Sequence, residues 1–286
     1  MDRLGITGGS GFIGRALNAR LDSLGREQEA LQIGRTDPGV GRFARFDLDA
    51  PESEPLPDIA CLAHVAAYVP DDQHGADALV CERANGGGML RLLAALDLEK
   101  LGRVVHAGSF HVWDAARPDR VTNAYEGSKL SALMLLRAHA QRYDFEWTSL
   151  GLPYVYGPGM VHGKMFRTFI ACARAARPLE LYNGGRDPLH LLFVDDAAEA
   201  ILAAIDADAG AGDVDIAPEA PVTVAEVAET IVELTGSSSE IRLLPGDPAA
   251  ARPHDTSPAR ERLGFKPRTT LREGLAALLA AGFGDA

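Results

Sequence analysis

A tyrosine and a lysine four positions apart, Tyr125 and Lys129, are the residues with the clearest chemical potential in this sequence. Residues at this spacing lie on one face of a helix, so the two side chains would be neighbours. A tyrosine phenol has an ordinary pKa of about 10, and a nearby ammonium group lowers that pKa by stabilising the phenolate. Such a tyrosine can pass a proton to or from a substrate oxygen while a hydride moves at the same carbon.

A serine stands where it could assist this pair. Ser109 follows Arg103–Ala107, a short apolar run typical of a buried strand. Ligands of open α/β sheets bind beyond the carboxyl ends of the strands. We therefore expect the Ser109 hydroxyl to hydrogen-bond the substrate oxygen beside Tyr125.

A glycine-rich turn, TGGSGFIG at residues 7–14, lies between the first predicted strand and the first predicted helix. Glycines at 8, 11 and 14 permit a tight turn and a close backbone approach to a pyrophosphate, which the free N–H groups of the helix N-terminus then bind. The spacing is GxxGxxG, one residue longer in its first gap than GxGxxG. This context predicts a dinucleotide cofactor.

The end of the second predicted strand bears on the choice of cofactor. A carboxylate there would bind the free ribose diol of NAD, but this sequence has Gly34 followed by Arg35. A guanidinium suits a 2′-phosphate, so we predict NADP in preference to NAD. Asp37 is the residue that could serve the ribose instead, although Pro38 favours an extended Asp37 that points away.

Strands and helices alternate along the chain, which indicates βαβ units and a parallel sheet covered on both faces. The predicted fold class is α/β, a Rossmann-type doubly wound parallel sheet with a small C-terminal α/β substrate lobe. We expect a dinucleotide-binding domain over 1–160, its sheet completed by segments from 185–220, and a mainly substrate-binding lobe over 161–286. The predicted helices include 76–96 and 126–141, and the predicted strands include 4–7, 30–33, 59–65, 103–107 and 148–152.

Composition excludes several classes of protein. The 286 residues carry a formal net charge of −12, which disfavours nucleic acid as a partner. No apolar run reaches the length of about 18 residues that a membrane span requires. Three widely spaced cysteines predict neither a disulfide framework nor a metal site, and with no signal peptide evident we expect a cytoplasmic protein.

With these features together, the sequence resembles the extended short-chain dehydrogenases/reductases of the NAD(P)-dependent epimerase/dehydratase kind. The resemblance runs collinearly along almost the whole chain. Its motifs are TGGSGFIG at 7–14, Asp47-Leu48, HVAA at 64–67, NGGG at 85–88, Ser109, YxxxK at 125–129, PYVYGPG at 153–159, FVDD at 193–196, VTVAE at 222–226 and LGFKP at 263–267.

The resemblance implies a role for each matching position. Tyr125 would be the acid/base, Lys129 would lower its pKa and hold the nicotinamide ribose, and Ser109 would position the substrate oxygen. The implied cofactor-binding residues are Gly8, Gly11, Phe12, Ile13, Gly14, Arg35, Asp47, Leu48, Ala66, Tyr125, Lys129, Pro153 and Val155. Relatives form dimers through a helix pair matching 76–96 and 126–141, so we expect a homodimer.

Departures from the family pattern bear on the substrate. Phe110 and His111 replace the acidic pair that dehydratases carry after the catalytic hydroxyl, and they make the pocket wall bulkier and more aromatic. Tyr154, Leu189 and Leu244 occupy positions where the family usually grips a nucleotide diphosphate with Asn or Arg. Phe110, His111 and Tyr154 are therefore the candidate substrate-binding residues.

Three hypotheses follow. The first is an NAD(P)-dependent oxidoreductase that transfers a hydride between nicotinamide and a secondary alcohol or ketone of a small, non-nucleotide substrate. The second is a sugar or nucleotide-sugar epimerase that retains its cofactor. The third is a dinucleotide-binding protein without turnover, which the intact Ser109, Tyr125 and Lys129 disfavour.

Overall fold

The computed structural model describes residues 4–50, 54–70, 75, 77–110, 123–250 and 254–284. Within them, the chain forms two compact units that interleave in sequence. The first comprises residues up to Leu152 together with Ala197–Ile216 and Ser257–Lys266, and the second comprises Pro153–Asp196, Ala217–Thr256 and the segment from Pro267.

A parallel seven-stranded sheet forms the centre of the first unit, counted over the part of the chain that the structure describes. Its strands are β1 (Leu4–Thr7), β2 (Ala30–Gly34), β3 (Arg42–Arg45), β4 (Cys61–His64), β5 (Arg103–Ser109), β6 (Glu146–Leu152) and β11 (Gly212–Asp215). The strand order is β3-β2-β1-β4-β5-β6-β11, and each neighbouring pair runs parallel. The predicted fold class is confirmed.

Helices of the first unit cover both faces of this sheet. They are α1 (Phe12–Ser23), α2 (Ala78–Ala84), α3 (Gly86–Ala95), α4 (Ala124–Tyr143), α8 (Ser257–Leu263) and α6 (Val194–Asp206), which belongs to this unit from Ala197 onward. Side chains alternate along a strand, so Leu62 and Val104, which pair across β4 and β5, lie on the same face of the sheet. They belong to one buried apolar cluster with Met89 of α3 and Leu136 of α4. Because these apolar side chains lie on one face of the sheet, α4 packs against that face, and α4 carries Lys129.

The stretch 76–96 is predicted as one helix, but its described residues, 77–96, form two helices that meet at Asn85. The Asn85 amide accepts a hydrogen bond from the Tyr68 backbone N–H (2.8 Å) and donates to the Tyr68 carbonyl (3.1 Å) and to Ser128 Oγ on α4 (2.9 Å). The side chain is almost fully buried. Buried amide groups need such partners, and these contacts fix the junction between α2 and α3 to the first turns of α4.

In its described residues, the second unit contains three two-stranded sheets and several helices. Its strands are β7 (Tyr154–Tyr156), β8 (Leu179–Leu181), β9 (Pro188–Leu189), β10 (Leu191–Phe193), β12 (Val222–Thr223) and β13 (Ile241–Leu243). They pair as β10-β7, β12-β9 and β13-β8. The helices are α5 (Lys164–Arg174), α7 (Val224–Thr235) and α9 (Leu271–Ala280), and Thr–Glu capping boxes begin α7 and α9. Among the described residues, no helix is long and apolar enough to cross a membrane.

Candidate active site

The glycine turn has the geometry that close backbone approach requires. Gly8 adopts a positive φ of 75°, and a Cβ there would lie 2.7 Å from the Ala66 backbone nitrogen. Gly11 donates to the Gly8 carbonyl (2.9 Å) and stands at the N-cap of α1 without a side-chain cap. A Cβ on Gly14 would lie 2.7 Å from the Cα of Gly9. The turn therefore brings β1 against β4 and leaves the N–H groups of α1 available to an anion.

The neighbouring strand end is held by a polar contact. Thr7 Oγ1 lies 2.8 Å from His64 Nδ1 and accepts a hydrogen bond from the Ala66 N–H (3.2 Å). These contacts fix Ala66 beside Gly8, so two of the predicted cofactor-binding residues, far apart in sequence, are adjacent. His64 is fully buried, and this burial lowers its pKa to about 3, so the imidazole is neutral.

The helix that carries the tyrosine and the lysine begins one residue before Tyr125. Asn123 caps α4 by accepting a hydrogen bond from the Glu126 N–H (2.9 Å). Ser128, which receives the Asn85 hydrogen bond, donates to the Tyr125 carbonyl (2.8 Å). The Lys129 ammonium donates to the Ala107 carbonyl of β5 (2.8 Å). Hydrogen bonds therefore hold the first turns of α4, which carry Tyr125 and Lys129, to β5 and to Asn85 at the end of α2.

Burial dominates the electrostatics of the pair. It lowers the pKa of Lys129 from 10.5 to about 8. Burial, with smaller contributions from Cys81 and Glu126, raises the pKa of Tyr125 to about 12. The expected lowering of the Tyr125 pKa by Lys129 is therefore not observed in the chain alone, because the phenol itself is desolvated and the ammonium is directed to Ala107. The phenol keeps its proton at neutral pH.

Ser109 is the last residue of β5, and its side chain lines the same small cavity as Lys129. Phe110 follows it and is buried, with its N–H donating to the Leu152 carbonyl (3.0 Å). His111 lies outside the described residues. The structure therefore brings Ser109 and Lys129 together, with Tyr125 one turn before Lys129 on α4.

The adenine-side and ribose-side candidates lie at the ends of β2 and β3. Arg35 and Asp37 are exposed, and the Asp37 carboxylate accepts a hydrogen bond from the Gly39 N–H (2.8 Å). Asp47 likewise accepts from the Asp49 N–H (3.0 Å). Leu48 packs at the edge of the apolar cluster under α3.

The remaining candidates belong to the second unit. Pro153 and Val155 are half-buried, and β7, which contains Val155, pairs with β10. Tyr154 is 44% exposed, and its ring lies 5.9 Å from that of Phe166.

Sequence reasoning missed a buried histidine pair behind Lys129. His106 of β5 stacks on His64 with ring centroids 5.7 Å apart, and its Nδ1 lies 3.3 Å from Ser149 Oγ on β6. Burial and the Lys129 charge lower the pKa of His106 well below its ordinary value. The sequence feature that could have indicated this pair is the position of both histidines near the ends of two successive strands, β4 and β5. Among the described residues, no group of His, Cys, Asp or Glu side chains could hold a metal ion.

Comparison with known proteins adds to this geometry. The sequence profile of the NAD dependent epimerase/dehydratase family matches residues 4–217. UDP-glucuronic acid decarboxylase 6 of Arabidopsis thaliana is 28% identical over 96% of this chain and 86% of its own length. The dTDP-6-deoxy-L-talose 4-dehydrogenase (NAD(P)(+)) of Kitasatospora kifunensis is 28% identical over 98% of this chain and 95% of its own.

Solved structures confirm the fold. The UDP-glucose 4-epimerase of Thermus thermophilus, in complex with NAD, matches with a TM-score of 0.79 and 22% identity, covering 99% of this chain and all of that one. Each of these three proteins is named for a UDP- or dTDP-linked sugar, and they differ in the reaction named.

Proposed function

Because the chain belongs to the NAD dependent epimerase/dehydratase family, we propose that it is an NAD(P)-dependent oxidoreductase acting on a secondary alcohol or ketone of a small substrate. The observation that carries this proposal is the shared cavity of Ser109 and Lys129 at the end of β5, with Tyr125 one turn away on α4. A bound dinucleotide would supply or accept the hydride, and the three side chains would handle the oxygen and its proton.

Each side chain has a distinct task in this proposal. Tyr125 is protonated at neutral pH because burial raises its pKa to about 12, so it is in the state that donates a proton to a ketone oxygen. Ser109 would hold that oxygen by a hydrogen bond. Lys129, with its pKa near 8, can exist in either protonation state near neutral pH and so can carry a proton. These states support reduction of a carbonyl group.

The residues near the glycine turn fit a dinucleotide. The tight turn that Gly8, Gly11 and Gly14 form and the uncapped start of α1 suit a pyrophosphate. Phe12 and Ile13 would follow it along the first turn of α1. Asp47 and Leu48 would contact the adenine, Ala66 would lie along the cofactor, and Pro153 and Val155 would contact the nicotinamide.

We propose NADP as the preferred cofactor. Space around the Cα of Gly34 is open, Arg35 is exposed beside it, and Asp37 is engaged in its own turn. In addition, the register of β2 and β3 pairs Gly34 with Arg45, a second exposed guanidinium. A 2′-phosphate here would gain a charge-assisted hydrogen bond worth about 1–3 kcal/mol.

Titration of the purified chain tests this preference. NADP(H) should bind roughly 10- to 100-fold more tightly than NAD(H), as a free-energy difference of this size requires. Arg35→Ala should remove most of the gap, whereas Arg42→Ala, at the far end of β3, should leave it. Equal affinities for the two cofactors in the unaltered protein would overturn the assignment.

For the substrate, we propose a small molecule that lacks a nucleotide. The support is the replacement of diphosphate-gripping positions by Tyr154, Leu189 and Leu244. Each lost charged contact would remove about 1.5–3 kcal/mol of binding free energy. A panel of ketones and of nucleotide sugars, offered with NADPH and NADH in turn, compares the two substrate classes directly.

A nucleotide-sugar epimerase is the second candidate function. It is favoured by the match of the whole chain to an epimerase structure. An epimerase would convert a UDP- or dTDP-sugar with no net change in NAD(P)H absorbance, whereas the oxidoreductase would oxidise NAD(P)H in step with product.

The acid/base assignment is tested by Tyr125→Phe. Turnover should fall by roughly 10²–10⁴-fold while cofactor affinity is kept. Tyr143→Phe is the matched control, since Tyr143 ends the same helix and is exposed. Ser109→Ala should reduce turnover less, because it removes an orienting hydrogen bond and leaves the proton donor. Near-normal turnover in Tyr125→Phe would exclude this tyrosine as the donor.

We also propose a homodimer formed through the helices beside the site. The support is apolar exposure on three neighbouring helices: Leu79 on α2 is 80% exposed, Leu90 on α3 45% and Met134 on α4 38%. Large apolar side chains exposed in this way favour burial against a partner.

A further inference from the structure

An arginine of α3 holds the loop that follows β3. Arg91 donates to the Leu48 carbonyl from Nε (2.7 Å) and also from Nη2. A carbonyl oxygen has two lone pairs, and the planar guanidinium presents two neighbouring donors to them. Both residues are half-buried, so water competes less for these hydrogen bonds than it would at the surface.

The same guanidinium ties the loop to the junction of α2 and α3. Arg91 donates from Nη2 to the Arg83 carbonyl near the end of α2, where helix carbonyls have no partner within the helix. Arg83 in turn binds both oxygens of the Asp49 carboxylate, through Nε and through Nη2 (3.1 Å). Arg83 and Asp49 are exposed, and exposed ion pairs contribute little. Arg91 is therefore the stronger of the two supports.

Two glycines of the NGGG motif make room for this arrangement. A Cβ on Gly88 would lie 3.2 Å from Leu48 Cβ and 3.3 Å from the Leu48 oxygen, and a Cβ on Gly87 would lie 3.2 Å from Arg91 Nη1. Cβ contacts of this length are unusually tight. The motif therefore lets the loop and the guanidinium approach α3 closely.

The loop presents an acceptor one residue before the held carbonyl. Phe46 is buried, and its N–H donates to the Gly34 carbonyl (2.9 Å), which fixes the start of the loop at the end of the sheet. Asp47 Oδ1 accepts from the Asp49 N–H (3.0 Å), and Oδ2 has no hydrogen bond among the described residues. A carboxylate oxygen suits the 6-amino group of adenine, which donates, and repels the 6-oxo group of hypoxanthine or guanine, which accepts.

We propose that Arg91 is a positioning residue for recognition of the cofactor's base. By fixing the Leu48 carbonyl, it holds Asp47 Oδ2 where the 6-amino group of an adenine reaches it. Arg91 acts through the loop and would not itself contact the cofactor. The proposal rests on the proposed function, since it requires a dinucleotide whose adenine lies against Asp47 and Leu48.

Two dinucleotides that differ only at the base test this role. NADPH carries a 6-amino group where reduced nicotinamide hypoxanthine dinucleotide phosphate carries a 6-oxo group. Calorimetric titration of the full chain without substrate measures both affinities. The unaltered protein should bind NADPH at least roughly 10-fold more tightly than the analogue, as one charged hydrogen bond requires. Asp47→Asn should bring this ratio near one, because an amide can offer either an acceptor or a donor.

Arg91→Met removes the guanidinium and keeps the apolar stem. The ratio of the two affinities should fall to about 3 or below, through weaker NADPH binding and with little change for the analogue. Arg91→Lys should retain only part of the discrimination, because one ammonium cannot reproduce the planar fork. Arg26→Met is the matched control, because Arg26 makes a two-point contact with Asp206 (2.7 and 2.9 Å) away from the loop. That variant should keep the ratio of the unaltered protein.

Circular dichroism establishes which variants are folded. An undiminished ratio in Arg91→Met, or in Arg91→Lys where the methionine variant does not fold, would overturn the proposal. Equal weakening of both dinucleotides in Arg91→Met would assign Arg91 a purely structural role and would also overturn it. So would equal affinities for the two dinucleotides in the unaltered protein.

The outcome is separable from a failure of the proposed function, because binding is measured without turnover. NADH and its hypoxanthine analogue are titrated in parallel, so a preference for NAD(H) would refute the NADP assignment and leave the comparison of bases intact. A protein that discriminates the bases through Arg91 but oxidises no NAD(P)H with any substrate of the panel would refute the oxidoreductase function alone.

Discussion

Replacing Lys129 by methionine should stabilise the folded protein near neutral pH, although it removes a residue of the candidate active site. The Lys129 ammonium is fully buried and has no carboxylate partner among the described residues, and burial lowers its pKa from 10.5 to about 8. At neutral pH the native fold therefore carries a desolvated charge. Methionine has a similar length and no charge.

The size and sign of the effect follow from proton linkage. A pKa that falls from 10.5 to about 8 corresponds to about 3 kcal/mol against the charged native state. Below pH 8 Lys129 is protonated in both the native and the unfolded chain, so the native state bears the full cost of the buried charge. Between pH 8 and 10.5 the unfolded chain binds more protons than the native one, so the free energy of unfolding rises with pH. The advantage of Lys129→Met should shrink by about 2 kcal/mol between pH 7 and 9.5.

The neighbouring titratable groups His64, His106 and Tyr125 do not change protonation in the folded protein between pH 7 and 9.5. The pKa of His64 is lowered to about 3 and that of His106 well below its ordinary value, so both rings stay neutral above pH 7. Tyr125, with its pKa raised to about 12, titrates above the window in the folded state, and its contribution cancels between the two proteins.

Urea unfolding, followed by fluorescence and circular dichroism at several pH values from 7 to 9.5, measures the difference. Lys164→Met is the control, because Lys164 is exposed at the start of α5 and its replacement should change stability by no more than about 0.5 kcal/mol at every pH. A Lys129→Met protein less stable than the native one across the whole range, or a difference independent of pH, would refute the burial argument.

Three further predictions concern the supports of the site and its assembly. Asn85→Ala removes three hydrogen bonds and should lower the free energy of unfolding by about 2–4 kcal/mol, measured by urea unfolding. Ser131→Ala is the control, because it breaks one exposed hydrogen bond to Glu82 (2.8 Å) and should lower the free energy of unfolding by less than about 1 kcal/mol. Similar losses in the two variants would argue against the Asn85 contacts. Gly14→Ala would place a Cβ 2.7 Å from the Gly9 Cα and should abolish dinucleotide binding, which calorimetry measures. Retained affinity would show that the turn can accept a side chain at this position. Light scattering at micromolar concentration should give about twice the 30.4 kDa chain mass, and a mass near 30.4 kDa would exclude the homodimer.

Local pattern in the sequence was enough to predict the framework of the first unit. The strand Leu4–Thr7 matches its prediction residue for residue, and α4 extends the predicted helix by two residues at each end. Tyr125 and Lys129 lie on the same face of α4 because four residues span about one helical turn. The glycine turn was predictable for a similar reason, since the conformations that glycine permits are a property of the residue itself.

The same local pattern misjudged the stretch 76–96. Its apolar spacing is continuous, but Asn85 ends one helix and begins the next because its amide bonds to Tyr68 and to Ser128. Those partners lie 17 and 43 positions away. Periodicity reports which face a residue occupies and carries no information about a distant side chain that competes for its hydrogen bonds.

Tertiary structure alone decided the surroundings of Lys129. His106 and Ser149 are separated by 43 positions, and they meet because β5 and β6 are neighbours in the sheet, while β11 brings Asp213 and Asp215 from still farther along the chain. In a parallel sheet the lateral neighbours depend on the crossover connections, which no local sequence window contains. The pKa values of Lys129 and Tyr125 follow the same rule, because desolvation is produced by everything that packs around a group, and most of that material comes from other parts of the chain.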